Sequence, residues 1–337
     1  MIIGGHDLNQ KRLLIAELGN NHEGDAKLAM EMVAAAAEAG ADAVKVQVID
    51  PERLVNRAQT ERIAQLSRFR LPLLVFAEMA ELARTKGMLF IASAFDLQSL
   101  EAIAGMVAAI KIASGDLDFT QLLVKAAGLK KSILLSTGMS TLDEVRIAVD
   151  TITSHLLTGE ILAERLALLH CVSLYPAPLV EVNLRAIPLL RETFGLTVGY
   201  SDHTLGIEAA VLSLAFGAHV IEKHFTLDKT RTSFRDHALA ADPDDLRRLA
   251  AVVHQFDEMQ GSGEKHPSAA EVEMSVAARR SIVAACDLKA GTCLTAEDLD
   301  YVRPRNGLPP SALASLLGRT LRVELQRHDP VLERHLE

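Results

Sequence analysis

Short apolar runs alternate with longer segments of helical spacing along the first 260 residues of the chain. The apolar runs predict β-strands, which begin near positions 13, 42, 88, 109, 132, 166, 196 and 219. A segment with apolar residues three or four positions apart follows each run and predicts a helix. These helices cover approximately positions 25–39, 72–86, 97–106, 119–127, 142–155, 184–193, 207–216 and 243–259. Strict alternation of strands and helices predicts a parallel sheet in the α/β class.

Eight strand–helix units are the number that closes a (β/α)8 TIM barrel. The strand runs are apolar throughout, which is typical of strands buried on both faces. A doubly wound open sheet is the alternative, but the turn after the first strand, Gly19-Asn-Asn-His-Glu-Gly, lacks the GxGxxG spacing of that fold. Charged residues without a clear period fill positions 51–70, which we predict to be irregular.

The composition changes at Gln260-Gly-Ser-Gly-Glu-Lys-His-Pro, a segment rich in residues that favour loops. We therefore assign residues 1–260 to the barrel, 261–275 to a linker and 276–337 to a second domain. Short apolar runs without a helical period occupy 281–285, 299–302 and 320–323. They predict a small, mostly β domain with little core of its own.

The composition excludes several classes of protein. Hydrophobic residues make up 49% and charged residues 23%, as in a soluble globular enzyme. The net charge of −9 argues against nucleic acid as a partner, and no apolar run is long enough to span a membrane. The first seven residues lack the basic and apolar regions of a signal peptide. Three cysteines without a CxxC pattern indicate a reduced, cytoplasmic protein.

Polar residues follow the apolar runs where the predicted strands end. In a parallel barrel these carboxyl ends meet on one face, where barrel enzymes place their functional groups. His203 follows the seventh strand and His224 ends the eighth. The two imidazoles are therefore candidates to bind one metal ion. The alternative is that both are ordinary surface or core members of a set of twelve histidines.

Two lysines lie within apolar strand ends, Lys45 between valines and Lys111 between isoleucines. A buried ammonium group is costly unless an anion neutralises it. Ion pairs with Glu17 or Asp116 would satisfy this requirement. A bound phosphate and carboxylate ligand would also do so, and we favour it because hydroxyl residues end the neighbouring strands. Those hydroxyl residues include Ser93, Ser114, Ser136 and Ser201.

Seven motifs at these strand ends carry a family resemblance. They are Ile15-Ala-Glu-Leu-Gly-Asn-Asn-His-Glu-Gly, Val44-Lys-Val-Gln, Lys111-Ile-Ala-Ser-Gly-Asp, Leu135-Ser-Thr-Gly-Met, Leu169-His-Cys with Tyr175-Pro-Ala-Pro, Tyr200-Ser-Asp-His-Thr and Glu222-Lys-His-Phe-Thr. Three more follow the linker: Arg279-Arg-Ser-Ile, Val302-Arg-Pro-Arg-Asn-Gly and Leu317-Gly-Arg. From about residue 13 to 335, the chain resembles the sialic acid (N-acetylneuraminate) synthase family with its C-terminal antifreeze-like (SAF) domain.

The resemblance implies a synthase that joins phosphoenolpyruvate to the open-chain aldehyde of an N-acylmannosamine-type sugar and releases phosphate. It implies a divalent metal bound by His203 and His224, with Mn²⁺ preferred over Mg²⁺ or Co²⁺. It implies catalytic roles for Glu17, Asp236 and Arg303, the last reaching the other subunit of a domain-swapped homodimer. The positions that match substrate contacts are Lys45, Gln47, Ser93, Lys111, Ser114, Asp116, Ser136, Tyr175 and Ser201.

The chain departs from the family pattern at three places. Ser233-Phe-Arg-Asp stands where Gly-Pro-Asp is usual, and Arg235 adds a charge beside Asp236. Arg305 replaces a glycine of the SAF domain, and the segment 50–71 is short. These departures concern the acceptor, so three acceptors stay open: N-acetylmannosamine, a diacetamido-trideoxy sugar and a phosphorylated sugar.

Two other functions stay open. A Schiff-base aldolase would use Lys45 or Lys111 and would not need both histidines. A non-catalytic relative would act as a sugar-binding or polysaccharide-assembly protein, since fold alone does not fix function. The antifreeze-like domain is no evidence for ice binding.

Overall fold

The computed structural model describes residues 1–232 and 234–337, apart from the side chain of Arg235. The chain divides into two compact units, Met1–Gly261 and Ser262–Glu337. No helix in the part of the chain described here has the length and apolar character needed to cross a bilayer.

The first unit is built on a closed barrel of eight parallel strands, which a short antiparallel hairpin precedes. The strands of this unit are β1 (Ile2–Ile3), β2 (His6–Asp7), β3 (Leu13–Gly19), β4 (Ala43–Val48), β5 (Leu89–Ala94), β6 (Ala109–Ile112), β7 (Ser132–Ser136), β8 (Leu166–Cys171), β9 (Thr197–Asp202) and β10 (Val220–His224). The barrel strands follow one another in the order β10-β3-β4-β5-β6-β7-β8-β9. The predicted TIM barrel is confirmed, and the doubly wound alternative is wrong because β10 pairs with β3 and closes the sheet.

The barrel interior changes from apolar to polar along its axis. At the amino ends of the strands, inward-facing residues such as Leu13, Ile15 and Leu134 form a fully buried apolar cluster. The hairpin contributes Ile3 and Leu8 to the same cluster and so covers this end of the barrel. Burial on both faces explains why the strand runs are apolar throughout. The polar residues are left at the opposite, carboxyl end.

Helices surround the barrel and bury their apolar stripes against the outer faces of the strands. Side chains of aspartates cap several of them, including Asp25 and Asp242. The helices of the first unit are α1 (Ala26–Glu38), α2 (Pro51–Leu54), α3 (Thr60–Phe69), α4 (Leu73–Thr85), α5 (Leu97–Ile103), α6 (Thr120–Gly128), α7 (Leu142–Ser154), α8 (Leu162–Arg165), α9 (Ala186–Phe194), α10 (Glu208–Ala215), α11 (Arg235–Leu239) and α12 (Pro243–Met259). The eight predicted helices are confirmed to within one turn.

The prediction that positions 51–70 are irregular is wrong. They form α2 and α3, which connect β4 to the helix that follows it. In α3, Ile63, Leu66 and Phe69 lie three positions apart and form a narrow face on which Leu66 is buried and the other two are half-buried. The helical period is therefore present in the sequence, and the prediction overlooked it among the charged residues of this segment.

The second unit has its own small core. It contains α13 (Ala269–Ala278), β11 (Ser281–Ala284), β12 (Leu299–Val302) and α14 (Leu313–Leu316). Strands β11 and β12 pair antiparallel, and ten buried hydrophobic residues pack around them. Helix α13 begins inside the segment assigned to a linker, and its described residues are exposed or half-buried.

Candidate active site

A cavity of about 260 Å³ lies at the carboxyl end of the barrel. Eleven of the predicted site residues line it: Glu17, Lys45, Gln47, Ser93, Lys111, Ser114, Ser136, Tyr175, Ser201, His203 and His224. They come from seven of the eight strands and from the loops that follow them. In-register pairing holds neighbours such as Glu17 and Lys45, or Ser93 and Lys111, side by side on one face.

Lys45 lies between two buried carboxylates. Its Nζ is 3.0 Å from Glu17 Oε2 and 3.5 Å from Glu222 Oε2. Burial raises the pKa of Glu17, although Lys45 opposes this effect. Burial also acts on Glu222, but Lys45 and Lys111 outweigh it and lower the pKa of Glu222 to about 2. Two adjacent carboxyl groups with opposite pKa shifts are suited to different roles, one ionised and one able to take up a proton.

Lys111 has different surroundings. Its Nζ donates to Ser136 Oγ at 2.6 Å and to the carbonyl oxygen of Ile112 at 3.1 Å. Among the described residues, no carboxylate lies within ion-pair distance of Lys111, so the expected alternative of a pair with Asp116 is wrong. Burial lowers the pKa of Lys111, and Glu222 only partly opposes the shift. The hydroxyl of Ser93 is buried without a hydrogen-bond partner. These unneutralised donors are what an anionic ligand requires.

The two histidines face each other across the cavity mouth. Their ring centroids are 5.5 Å apart, a separation that suits one shared ion because metal–imidazole bonds are about 2 Å long. His203 Nδ1 lies 2.8 Å from the carbonyl oxygen of Val172, to which it must donate. That tautomer leaves the lone pair of Nε2 available to a metal ion. The ring of Tyr175 covers His203 with a centroid distance of 4.2 Å. Among the described residues, no cluster of three or more potential metal ligands occurs. The donor set therefore fits an ion that completes its coordination with water or substrate.

Gln47 connects this cavity to a neighbouring one. Its Nε2 donates to Glu17 Oε1 at 2.8 Å, and its Oε1 accepts from Asn20 Nδ2 at 3.2 Å. Gln47 also lines a second cavity of about 230 Å³, which is bounded by Leu66 and Phe69 of α3. Helix α3, which lies in the segment predicted to be irregular, thus forms one wall of a space beside the candidate site.

Three predicted site residues do not line the cavity. Asp116 lies half-buried in the turn after β6, where burial and the neighbouring Asp118 raise its pKa to about 6. Asp236 is buried in the first turn of α11. Arg303 is an exposed residue of the second unit. Arg305, two positions later, is half-buried. The predicted departure at Ser233 and the added charge of Arg235 lie outside the described residues.

Two titratable residues that line the cavity, Glu222 and Cys171, were not assigned a role from the sequence. Glu222 accepts a hydrogen bond from Ser201 Oγ at 2.8 Å and contacts Lys45. It occupies an inward-facing position two residues before His224, and that strand period could have identified it. Cys171 lines the cavity with its Sγ 3.6 Å from Ser114 Oγ. A lone cysteine in an apolar strand carries no comparable sequence signal.

Comparison with known proteins places this geometry in a family. A model described as the NeuB family matches residues 32–265, and one described as the SAF domain matches residues 279–337. The chain is 39% identical to N,N'-diacetyllegionaminic acid synthase of Legionella pneumophila, over 96% of this chain and 94% of that protein. It is 36% identical to the Campylobacter jejuni enzyme of the same name, over 92% and 96%.

A solved structure agrees with the sequence relatives. N-acetylneuraminic acid (sialic acid) synthetase from Leptospira borgpetersenii superposes with a TM-score of 0.73 at 33% identity, covering 79% of this chain and 90% of that one. The matched segments include the strands that carry Lys45, Lys111, His203 and His224. The resemblance seen in the motifs is confirmed: this chain belongs to the NeuB family and carries a SAF domain at residues 279–337.

Proposed function

We propose that this protein condenses phosphoenolpyruvate with the open-chain aldehyde of an N-acylated amino sugar, forming a nonulosonic acid and releasing phosphate. The observation that carries the proposal is the single cavity that gathers two buried lysines, five serines and two histidines. The two legionaminic acid synthases among the relatives favour a diacetamido-trideoxy sugar as the acceptor. N-acetylmannosamine and a phosphorylated sugar are the other acceptors to be tested.

The donor would lie over Lys45 and Lys111. Phosphoenolpyruvate carries a phosphate and a carboxylate, and the two ammonium groups with Ser93, Ser114 and Ser136 can form charge-assisted hydrogen bonds to both. The unpartnered hydroxyl of Ser93 supports this assignment. Binding of the anion would also supply the neutralising charge that Lys111 lacks among the residues the structure describes.

The cofactor would be a divalent ion, preferably Mn²⁺, bound by His203 and His224. Such an ion supplies Lewis-acid polarisation of an aldehyde oxygen. The donated Nδ1 hydrogen of His203 fixes its ring and supports this use of Nε2.

The reaction joins C3 of phosphoenolpyruvate to the aldehyde carbon, while water adds at C2 and phosphate leaves from C2. Glu17 is the candidate base for that water, because burial raises its pKa towards the range that serves acid–base catalysis near neutral pH. Glu222, whose pKa is lowered, would stay ionised and hold Lys45 and Ser201 in place. Gln47, which bonds to Glu17, and Tyr175, which covers His203, would contact the acceptor.

The assay uses the purified protein with phosphoenolpyruvate, Mn²⁺ and a panel of the three acceptor types, and measures phosphate release. We expect release with a diacetamido-trideoxy sugar, loss of release with chelator, and loss in the His203→Ala variant. The His155→Ala variant is the matched control, since His155 is exposed at the end of α7. Phosphate release that survives both chelation and His203→Ala would refute the metal assignment.

A Schiff-base aldolase is the second candidate, and the lowered pKa of Lys111 is the observation that favours it. Borohydride reduction in the presence of pyruvate would then attach the ligand covalently to Lys111. We expect no such adduct. Sugar binding without phosphate release from any acceptor would instead indicate a non-catalytic relative.

We further propose that the protein acts in the cytoplasm as a homodimer in which Arg303 serves the partner's site. Support for a reducing compartment comes from the cysteines, because Cys171, Cys286 and Cys293 are all free. Support for a dimer comes from α13, which exposes Val272, Met274 and Val276 to solvent. Apolar side chains grouped on one short helix are typical of surfaces that another chain covers.

A further inference from the structure

An ion pair between Lys223 and Asp202 lies on the outer side of the barrel wall, away from the cavity. Lys223 Nζ is 2.9 Å from Asp202 Oδ2, and both side chains are 0% exposed. The two residues stand opposite each other in the register of β10 and β9. Alternate residues of a strand face opposite sides, so Asp202 and Lys223 point outward while Ser201 and Glu222 point into the cavity.

This ion pair borders the apolar layer between the strands and the helices, although the charges of Asp245 and Lys229 also act on Lys223. Tyr200, two residues before Asp202, belongs to the cluster packed between the strands and the helices. Removing two charges from water is expensive, and apolar residues of similar volume are often as stable in such a place. Stability alone therefore does not account for the ion pair.

The hydrogen bonds of the ion pair fix the backbone on both sides of His203. Asp202 Oδ1 accepts from the amide of Thr204 at 2.9 Å and from the hydroxyl of Tyr200 at 3.2 Å. Lys223 Nζ also donates to the carbonyl oxygen of Thr204 at 2.6 Å. His203 thus lies between two residues held by one network. Lys223 itself directly precedes His224.

We propose that Lys223 and Asp202 are positioning residues, which hold the strand ends so that His203 and His224 bind one divalent cation. The inference rests on the metal site of the proposed function. Partners behind metal ligands usually orient them through a hydrogen bond to the imidazole ring. Here the orientation acts through the backbone. Asp202 and Lys223 directly precede His203 and His224, and both bond to the backbone of Thr204, which follows His203.

The test measures Mn²⁺ affinity directly, by electron paramagnetic resonance of free Mn²⁺, in protein without substrates. The double variant Lys223→Met with Asp202→Asn removes both charges and leaves an acceptor for Thr204 and Tyr200. We expect the Mn²⁺ dissociation constant to rise about tenfold to a hundredfold, the usual effect of losing a partner behind a metal ligand. Phosphoenolpyruvate affinity without metal is expected to stay within about twofold, since Lys45 and Lys111 are untouched.

The matched control is a partly buried ion pair, between Arg12 and Asp257, whose charged atoms are 2.8 Å apart at the amino end of β3. The variant Arg12→Met with Asp257→Asn is expected to lose comparable thermal stability without any change in Mn²⁺ affinity. Equal Mn²⁺ affinity in the folded Lys223–Asp202 variant and in the wild type would overturn the inference.

Two further outcomes are distinguishable. If the wild type binds no Mn²⁺, the metal site of the proposed function fails, and the positioning role fails with it. If the double variant does not fold, Tyr200→Phe removes one hydroxyl from the same network and is expected to weaken Mn²⁺ binding about threefold. An unchanged Mn²⁺ affinity in Tyr200→Phe would then overturn the inference.

Discussion

At the scale of residues, the two buried lysines of the cavity have unequal surroundings. Lys45 is neutralised by Glu17 and Glu222 within the protein. Within the described part of the chain, the partners of Lys111 are a hydroxyl and a carbonyl group. Removing Lys45 would leave two carboxylates facing each other and would damage the site as a whole. Removing Lys111 relieves a buried charge, so Lys111 is the better probe of donor binding.

The Lys111→Met variant is expected to bind phosphoenolpyruvate more weakly by about 2–3 kcal/mol, the scale of a lost charge-assisted hydrogen bond. Its melting temperature should not fall, because methionine fills the volume without a charge. Calorimetric titration and thermal unfolding of the same variant measure both quantities. Lys125→Met, which removes an exposed ion pair with Glu101, is the control. A large drop in melting temperature with unchanged donor affinity would contradict the binding role.

At the scale of elements, hydrogen bonds join the short helix α11 to the neighbouring loop after β3 and to Thr226. His237 of α11 lies with Nε2 2.9 Å from Glu23 Oε1, in the loop after β3, and with Nδ1 2.7 Å from Thr226 Oγ1. A helix of five residues has little stability of its own. The two hydrogen bonds of His237 therefore hold α11, and with it Asp236, next to the carboxyl end of the barrel.

We expect His237→Leu to raise the acceptor KM about tenfold and to leave phosphoenolpyruvate affinity within twofold. The hydrogen bonds of His237 hold Asp236, which we propose lies on the acceptor side of the site, and not the two lysines. Steady-state kinetics with each substrate varied in turn measure the difference. His219→Leu is the matched control, because it also removes an imidazole hydrogen bond, here the one between Nδ1 and the carbonyl oxygen of Gly217 at the amino end of β10. Equal effects of His237→Leu on both substrates would indicate general loss of structure instead.

At the scale of the whole molecule, the proposed dimer makes a complementation test possible. A barrel variant, His203→Ala, and a tail variant, Arg303→Ala, are each expected to be inactive. Subunit exchange would place a wild-type barrel beside a wild-type tail in some mixed dimers. Phosphate release from the mixture should then recover to as much as roughly a quarter of the wild-type rate, if exchange is random and each dimer has two independent sites.

Exchange itself is followed separately, by native mass spectrometry of one isotopically labelled variant. If mixed dimers form and phosphate release stays at zero, Arg303 acts within its own subunit or has no role in turnover. If no dimer of any kind is present, the proposal for the second unit fails while the barrel chemistry stands.

The sequence by itself determined the barrel and most of its cavity. Apolar runs that are buried on both faces alternate with helices along the chain. This local pattern predicts where the strands lie. Because parallel strands share their polarity, polar residues at the strand ends converge, and Lys45, Lys111, His203 and His224 do so. The prediction missed α3, because its narrow apolar face of Ile63, Leu66 and Phe69 is surrounded by charged and polar residues.

Only the tertiary structure decided how those residues are paired. Closure of the barrel brings β10 beside β3, and thereby places Glu222 against Lys45 although they lie far apart in the chain. The pairing of Lys223 with Asp202, and the absence of a carboxylate for Lys111 among the described residues, follow from the same register. The pattern of apolar and polar residues along the chain indicates which side chains are buried. The partner of a buried charge depends instead on which strands are neighbours in the sheet.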